Sequence, residues 1–423
     1  MRKIILCLFV AVFMMTACSN QETTESAQLI PTGVNTQSNT RSCEEALKIA
    51  ENAIDMLESS KSSTRSEAKS RKIDFTQNKV IMHDTKTRGD SIISDSLIYV
   101  FNFENNEGFA LVSASVNADP LLAVTEKGFF DPEVPSNIDG LNLFVEQAKE
   151  YVLSEELASL NSVYETKDSI VGVSPYSEVG PFVSVKWGQN YAEGEFCDNG
   201  LAGCANTAMA QIFTYYGQPS SLSLTYCNGG TISLNWPSIR SHGTKHYSSY
   251  CSNLTVHTSI SHLLRELGER NNSSYVSVDE NHIYTITDLI TDNTAINTLN
   301  GLGYQHGSWN PYIGSFVRNQ LDNHHLFIAS ALSHFWVLDG YMLGVVTHNI
   351  MYKIGDNWYY SGNTYTTTSY FNHYNWGFYG DSDGYFNENV YNTQQVSLLD
   401  NGCTNYEILV ENPNNVSLMS IYY

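Results

Sequence analysis

The pattern of apolar positions after residue 203 predicts the most informative helix of the chain. Apolar side chains recur every three or four residues, which is the spacing of a helix with one buried face. These positions are Ala205, Ala208, Met209, Ile212, Phe213 and Tyr216. Gly217 and Pro219 predict where the helix ends. Cys204 opens the helix, where the dipole and the unpaired N–H groups favour a thiolate. The pattern therefore suits a nucleophile, although free cysteines are more often core packing residues.

Patterning also predicts a small α+β unit near the N-terminus. Ser42 to Glu45 resembles a capping box, and the following helix places Ala46, Ile49, Ala50, Ala53, Ile54 and Leu57 on one face. Two β-rich segments, Leu97–Phe103 and Gly108–Ser113, flank Asn105-Asn106-Glu107 as in a hairpin. A second helix is predicted within Leu141–Leu160. Between Glu165 and Gly180 the Gly and Pro content predicts a domain boundary, where cleavage would separate the two parts.

A cysteine nucleophile needs a base, and histidine is the usual one. His334 lies where two predicted strands, Leu326–Leu332 and Ser333–Gly340, meet. Asn375 is the candidate for orienting its imidazole, and Trp376 could shield that hydrogen bond from water. His373, two residues before Asn375, is the main rival base.

The order Gln189, Cys204, His334, Asn375 with Trp376 is the one that a papain-like peptidase requires. Gln189 and the Cys204 backbone N–H would hold the developing oxyanion. The 130 residues between Cys204 and His334 are compatible with this arrangement.

Four ordered blocks carry a specific resemblance: Trp187 with Gln189, Gly203–Tyr215, His334–Gly340, and Asn375-Trp376-Gly377 with Asp383–Phe386. In these blocks the chain resembles the streptopain family of papain-like cysteine peptidases, peptidase family C10, in its Bacteroides-type lipoprotein form. The resemblance implies an α+β fold, namely a papain-like peptidase of two subdomains preceded by a small α+β prosegment that covers the cleft.

Two single positions and two stretches depart from the family pattern. Asn206 replaces a small residue, and Ser333 replaces the glycine before the histidine. Gly377-Phe378-Tyr379-Gly380 stands where the family has Gly-Trp-Gly-Gly, and the stretch Asp279–Asn293 lacks the family's Ser-Gly-Ala segment. None of these changes removes a catalytic side chain, so they bear on substrate preference.

The first residues predict secretion. Arg2-Lys3 precede an apolar run, Ile4–Met15, that is too short to span a membrane. Cys18 directly after Ala17 resembles a bacterial lipoprotein signal, in which Cys18 is lipidated and becomes the N-terminus. The alternative is an ordinary signal peptide with an incidental cysteine. We expect a lipid anchor in the cell envelope, at the outer membrane, cell surface or periplasm, with release possible after processing.

Charge and cysteine content limit the partners. The net charge of −22 would repel a polyanion, so no nucleic-acid partner is expected. Cys197, Cys227, Cys251 and Cys403 either form two disulfides or remain thiols. Their spacing fits no zinc pattern, His324-His325 fits a solvated turn, and Asp381–Gly384 does not continue as a calcium loop, so no metal or cofactor is expected.

The sequence therefore predicts four parts: a lipoprotein signal peptide (1–17), a flexible tether (18–41), an inhibitory prosegment (42–170) and a papain-like peptidase domain (171–423). The expected function is a secreted cysteine endopeptidase made as a zymogen. Its partners would be polypeptide substrates and its own prosegment. An amidase or transpeptidase acting on cell-wall peptides, and a non-catalytic surface binding protein, are the alternatives.

Overall fold

The computed structural model of this chain describes residues 40–61, 71–82, 96–160, 167–190, 194–227, 229–243, 254–279, 282–290, 293–331, 334–354, 357–391 and 416–423. The signal peptide, Cys18, Ser333, Cys251 and Cys403 lie outside these ranges. Within them, no helix has the length and apolar character needed to cross a membrane.

The described chain mixes helices with an antiparallel sheet, which confirms the predicted α+β class. The helices are α1 (Cys43–Lys61), α2 (Asp139–Leu160), α3 (Cys204–Tyr216), α4 (Trp236–Gly243), α5 (Leu254–Arg270), α6 (Thr294–Gly301) and α7 (Gly314–Asp322). The first strands are β1 (Lys79–Met82), β2 (Ser96–Asn102), β3 (Phe109–Ser113), β4 (Leu121–Thr125), β5 (Lys167–Val179), β6 (Ser221–Leu224), β7 (Gly230–Ser233) and β8 (Ser274–Asp279). The remaining strands are β9 (His282–Ile286), β10 (Gln305–His306), β11 (Asn310–Pro311), β12 (Leu326–Ala331), β13 (His334–Ile354), β14 (Asn357–Asn375), β15 (Gly384–Asn387) and β16 (Ser417–Tyr422).

The predicted elements of the N-terminal unit are confirmed. The Ser42 hydroxyl accepts a hydrogen bond from the Glu45 N–H at 3.2 Å, and the Glu45 carboxylate accepts one from the Ser42 N–H at 3.0 Å, so the capping box forms. The six predicted apolar positions of α1 are all buried. They pack in one core with Met342, Val346 and Phe371 of the β13–β14 hairpin, so this core spans both predicted domains.

The sheet of the N-terminal unit continues into that of the later domain. Among the described residues, β1 to β4 form one end of a sheet whose order runs β1-β2-β3-β4-β15-β14-β13-β12-β16-β10. The junction is an antiparallel pairing of β4 with β15, in which Val124 lies opposite Tyr385. Main-chain hydrogen bonds therefore join the two domains edge to edge.

The predicted boundary segment is itself a strand. β5 runs antiparallel to β13, from Lys167 opposite Met351 to Val179 opposite Tyr341. The backbone of residues 167–179 is therefore held in the sheet by its pairing with β13. The position of the boundary itself stays a prediction.

Strand β13 separates the two halves of the peptidase domain. Phe335 and Val337 point into a core built around α3 and α5. Trp336 and Leu338 point to the opposite face, into a core that includes α2 of the N-terminal unit. The alternation follows from the two-residue period of a strand. It places Cys204, on α3, and His334, at the start of β13, on elements that pack against each other.

Candidate active site

Helix α3 begins and ends where the sequence predicts. Gly203 is its N-cap with φ of 86°, a conformation that suits glycine. A Cβ at this position would lie 2.9 Å from Thr285 of β9. At the other end Gly217 is left-handed with φ of 68°, and its N–H donates to the Phe213 carbonyl at 2.9 Å. The local backbone therefore fixes Cys204 at the first turn.

The burial of α3 differs from the prediction of a single buried face. Every residue from Ala205 to Thr214 is buried, including polar residues on the supposed outer face. The amide of Asn206 donates to the Ala202 carbonyl and to the Ser273 hydroxyl, both at 2.9 Å. Gln211 donates to Asn375 Oδ1 at 3.0 Å. The amide nitrogens of Asn206 and Gln211 thus bond within the protein rather than facing solvent, as is usual for buried donors, whereas the buried Gln211 Oε1 has no hydrogen-bond partner.

Opposing effects act on the Cys204 thiol. Burial is the largest and raises its pKa, because a thiolate is costly in a poorly solvated site. The backbone N–H groups of Phe335, Ala205 and Cys204 itself hydrogen-bond to the sulfur and lower the pKa. The Asp139 carboxylate of α2 raises it again. The net shift is upward, so this form of the protein holds Cys204 as a neutral thiol.

His334 is neutral as well. Burial lowers the pKa of His334 to about 4, against smaller upward effects of Asp139 and of the Trp376 carbonyl. Its Nε2 lies 3.2 Å from that carbonyl. The imidazole is enclosed by the rings of Trp336, Trp376 and Phe378, with centroid distances of 6.0, 6.4 and 5.7 Å. A thiolate–imidazolium pair is therefore not favoured in this form.

Asn375 directly precedes Trp376, and both the oxygen and the nitrogen of its side-chain amide are hydrogen bonded. Its Oδ1 accepts from Gln211 Nε2 at 3.0 Å and from the Gly377 N–H at 3.1 Å, while its Nδ2 donates to the Val185 carbonyl at 3.0 Å. In the described part of the chain, His334 thus pairs with the Trp376 backbone, one residue beyond Asn375. The orienting role of Asn375 stays a prediction for an activated form.

Gln189 lies at the base of the loop that leads to the nucleophile. Its carbonyl accepts a hydrogen bond from the Ala202 N–H at 2.6 Å, which closes the loop two residues before Cys204. The preceding Trp187 is buried. This closure brings the two predicted oxyanion donors onto neighbouring segments.

His373, the rival base, belongs to a different group of charges. It is fully buried, and its Nδ1 lies 2.6 Å from Asp339 Oδ1. Asp339 also accepts from the Val183 N–H at 2.7 Å, and Glu126 of the N-terminal unit lies 3.8 Å from His373 Nε2. His373 is thus engaged in a buried contact with Asp339 that ties β13 to β14.

Sequence reasoning missed two residues that lie next to the candidate pair Cys204 and His334. Gly140, in the first turn of α2, is so close to Trp376 that a Cβ there would overlap the indole ring, and it would lie 3.1 Å from His334 Cδ2. Asp139 is near enough to act on both Cys204 and His334. The N-terminus of α2 therefore covers the site. Ile138-Asp139-Gly140 carries no motif that identifies this role, because the contact depends on the packing of two domains.

The structure also describes some of the remaining cysteine and histidine side chains. Cys197 and Cys227 are thiols, so the alternative of two disulfides among Cys197, Cys227, Cys251 and Cys403 is wrong. The described ranges contain no group of three or more metal-ligating side chains. At the predicted turn His324-His325, the Tyr215 hydroxyl lies 2.6 Å from His324 Nδ1.

Comparison with known proteins identifies both parts of the chain. A model of the Spi protease inhibitor family matches residues 34–152, and a model of the Peptidase C10 family matches residues 183–386. Thiol protease/hemagglutinin PrtT of Porphyromonas gingivalis is 27% identical over 144 residues. That match covers 31% of this chain and 17% of PrtT, so the chain spans only a small part of this relative.

Two solved structures from Prevotella intermedia are similar in part. A mutant fragment of prointerpain A covers 81% of this chain and 98% of its own, at 17% identity and a TM-score of 0.47. Active wild-type interpain A, a cysteine protease, covers 58% of this chain and 95% of its own, at 16% identity and a TM-score of 0.34. On the strength of the two consecutive family matches and the site described above, the chain belongs to the peptidase C10 family and carries a Spi-type prosegment ahead of its peptidase domain.

Proposed function

We propose that this protein is a secreted cysteine endopeptidase that is made as a zymogen. The observation that carries the proposal is the position of α2: the first turn of the prosegment helix lies on His334 and Trp376, beside the thiol of Cys204. A helix that covers a Cys–His pair has a clear role if that pair cleaves peptide bonds and must be kept inactive until processing.

In the activated enzyme, Cys204 attacks the scissile carbonyl as a thiolate. The developing oxyanion accepts hydrogen bonds from the Cys204 N–H and the Gln189 side-chain amide. His334, as imidazolium, protonates the leaving amine, and the acyl group remains on Cys204 as a thioester. His334 then takes a proton from water as the water attacks the thioester, and collapse of the intermediate breaks the C–S bond, releases the acid and restores the Cys204 thiolate beside the His334 imidazolium. Asn375 orients His334, and Trp376 shields the pair from bulk water.

The electrostatics of the latent form explain why it is inactive. The pKa of Cys204 is raised and that of His334 is lowered, in both cases mainly by burial. Departure of α2 removes apolar cover from both groups and removes the Asp139 carboxylate, which disfavours the thiolate. Both losses lower the pKa of Cys204. For His334 the loss of burial raises the pKa, and this outweighs the opposite effect of losing Asp139 because burial is the larger cause. The charged pair then becomes accessible near neutral pH.

Processing would also free the enzyme from its anchor. We propose that Cys18 is lipidated and holds the zymogen at the cell envelope. Because Cys18 and the peptidase domain lie on opposite sides of the Glu165–Gly180 boundary, one cut there separates them. Replacing Cys18 by Ser should abolish incorporation of a labelled fatty acid and leave the protein unanchored. Labelled Cys18→Ser protein would contradict the lipoprotein assignment.

The first experiment is to express the chain from Ser19 onward, as wild type and as Cys204→Ala, and to follow intact mass under reducing conditions. We expect loss of the N-terminal part only in the wild type. If both stay whole, a general protease is added and casein cleavage is measured. Wild type that is processed but inert on casein would argue against a peptidase. Activity on peptidoglycan fragments would then support the cell-wall amidase or transpeptidase, and inertness towards these and towards thiol-reactive peptide epoxides would support a binding protein.

A further inference from the structure

We infer that Tyr379 is a positioning residue for the oxyanion hole, because it holds the backbone on both sides of Gln189. This inference rests on the proposed function. It concerns a residue that stands where the family pattern has a glycine.

Tyr379 contacts each neighbour of Gln189. Its ring fills the space in front of Gly188, so that a Cβ on Gly188 would lie only 2.7 Å from Tyr379 Cδ2. Its hydroxyl donates to the Asn190 carbonyl at 2.9 Å and also bonds to the Asn190 side-chain oxygen. Its backbone N–H donates to the Trp187 carbonyl at 3.3 Å. One side chain and its own peptide group thus fix residues 187, 188 and 190.

The backbone of Tyr379 supports a specific role. Its φ is 56°, in the left-handed region that a bulky residue rarely adopts and that glycine adopts freely. A tyrosine at this position costs conformational free energy that a glycine would not. The ring and hydroxyl contacts to the Gln189 segment are what this side chain adds in return.

Both partners of each of these contacts lie within the peptidase domain, so loss of the prosegment removes neither of them. Lys127 of the prosegment reaches the same loop, with Nζ 3.4 Å from the Tyr379 carbonyl and 3.1 Å from Asp381. Loss of the prosegment removes those two bonds. The bonds from Tyr379 to Trp187 and Asn190 stay available in the processed enzyme, which is where an oxyanion hole is needed.

Misplacing Gln189 should affect peptide hydrolysis without affecting alkylation of Cys204. An oxyanion donor acts on the tetrahedral intermediate, so its misplacement lowers kcat more than it changes KM. The nucleophilicity of the Cys204 thiol towards an alkylating reagent does not use the oxyanion hole. A residue that positions only Gln189 should therefore affect amide hydrolysis and leave alkylation unchanged, whereas general damage to the fold would affect both.

The test uses full-length protein processed in the same way for every variant. Tyr379→Phe removes the hydroxyl bonds, and Gly188→Ala forces the ring away. The double variant Gly188→Ala with Tyr379→Gly removes that overlap. Gln189→Ala serves as the benchmark. Tyr360→Phe is the matched control, because Tyr360 is an exposed tyrosine of the β13–β14 hairpin. For each we would measure kcat and KM on a fluorogenic peptide amide, the affinity of a peptide aldehyde, and the rate of alkylation by iodoacetamide.

The aldehyde reports on the oxyanion hole directly, because the Cys204 sulfur adds to its carbon and leaves the hemithioacetal oxygen in the hole. Tyr379→Phe should lower kcat and aldehyde affinity by about three- to tenfold, the usual effect of losing a hydrogen bond. Gln189→Ala should lower kcat by about 10²-fold. Gly188→Ala should lower kcat by a factor between those of Tyr379→Phe and Gln189→Ala. The double variant Gly188→Ala with Tyr379→Gly should have a higher kcat than Gly188→Ala alone. Alkylation and KM should stay within about twofold throughout, since neither uses the oxyanion donors.

Two outcomes would overturn the inference alone: an active wild type in which Tyr379→Phe leaves kcat and aldehyde affinity unchanged, or a Tyr379→Phe variant whose alkylation rate falls as much as kcat. A wild type that is alkylated but cleaves no peptide would instead overturn the proposed function, and this inference with it.

Discussion

Gly140 of the prosegment lies directly against the indole of Trp376, with no room for a side chain between them. Replacing Gly140 by Ala should therefore push α2 away from the site. Within a helix this substitution is normally favourable by about 1 kcal/mol, so any weakening comes from the overlap. We expect Gly140→Ala to process itself faster than wild type, measured as the half-time of mass loss.

A matched control is available on α6. A Cβ on Gly301 would find its nearest neighbour, an Arg270 nitrogen, at 3.8 Å, which is ordinary contact distance. Gly301→Ala should process at the wild-type rate. If Gly140→Ala is as slow as Gly301→Ala, the contact between Gly140 and Trp376 does not restrain activation.

Asp139 should set the reactivity of the latent nucleophile. Its carboxylate raises the pKa of Cys204, so Asp139→Asn should lower that pKa and shift the alkylation profile of Cys204 to lower pH. The same change should lower the pKa of His334, because Asp139 favours the imidazolium. The measurement is iodoacetamide labelling of the full-length zymogen at a series of pH values, read by peptide mass.

The exposed thiol Cys227 provides an internal reference in the same samples. Its profile should be identical in wild type and Asp139→Asn. A Cys204 midpoint that stays in place while the variant folds normally would show that Asp139 is too well solvated to act on the thiol.

Local sequence signals predicted the elements that depend on near neighbours. The capping box of Ser42 and Glu45, the start of α3 after Gly203 and its end at Gly217 each rest on contacts within a few residues. A short stretch of sequence therefore contains what is needed to predict where these helices begin and end. The family resemblance added the order of the candidate site residues, and Cys204 and His334 do lie on elements that pack against each other.

Contacts between distant segments could not be predicted in this way. The pairing of Val124 with Tyr385 joins strands that are far apart in the chain, and nothing in either strand specifies the other. The contacts of Gly140 with Trp376 and of Tyr379 with Gly188 also join distant segments, and the local sequence does not specify either partner. The full burial of α3 was missed because its polar residues were assumed to face solvent, whereas Gln211 finds its partner on β14.

Acid should destabilise the zymogen through His334. Its pKa is about 4 in the folded protein and 6.5 for an unperturbed histidine, so the unfolded chain binds more protons between these values. The stability that the neutral buried histidine contributes is complete above about pH 6.5 and is lost as the pH falls towards 4. Each unit of pKa difference corresponds to about 1.4 kcal/mol, so the free energy of unfolding should fall by about 3 kcal/mol over this pH range.

The measurement is urea unfolding of the Cys204→Ala zymogen, with and without His334→Gln, at pH 7 and pH 4.5. Carboxylates titrate in both proteins, so the informative quantity is the difference between them. We expect the protein that retains His334 to lose more stability on acidification. Equal losses in the two proteins would mean that His334 is solvated enough to titrate normally.

Gln211 should stabilise the site through Asn375. Its amide is buried on α3 and donates to Asn375 Oδ1, so replacing it by the similarly sized Met removes a buried hydrogen bond without leaving a large cavity. We expect Gln211→Met to lower the free energy of unfolding by about 0.5–1.5 kcal/mol, because Asn375 Oδ1 keeps its bond from the Gly377 N–H. It should also reduce kcat after processing, because Asn375 loses one of the bonds that hold it. Gln305→Met, at an exposed position of β10, should change the unfolding free energy by less than about 0.5 kcal/mol. If Gln211→Met matches Gln305→Met in both urea unfolding and kcat, Asn375 is held adequately by Val185 and Gly377, and α3 contributes to catalysis through Cys204 alone.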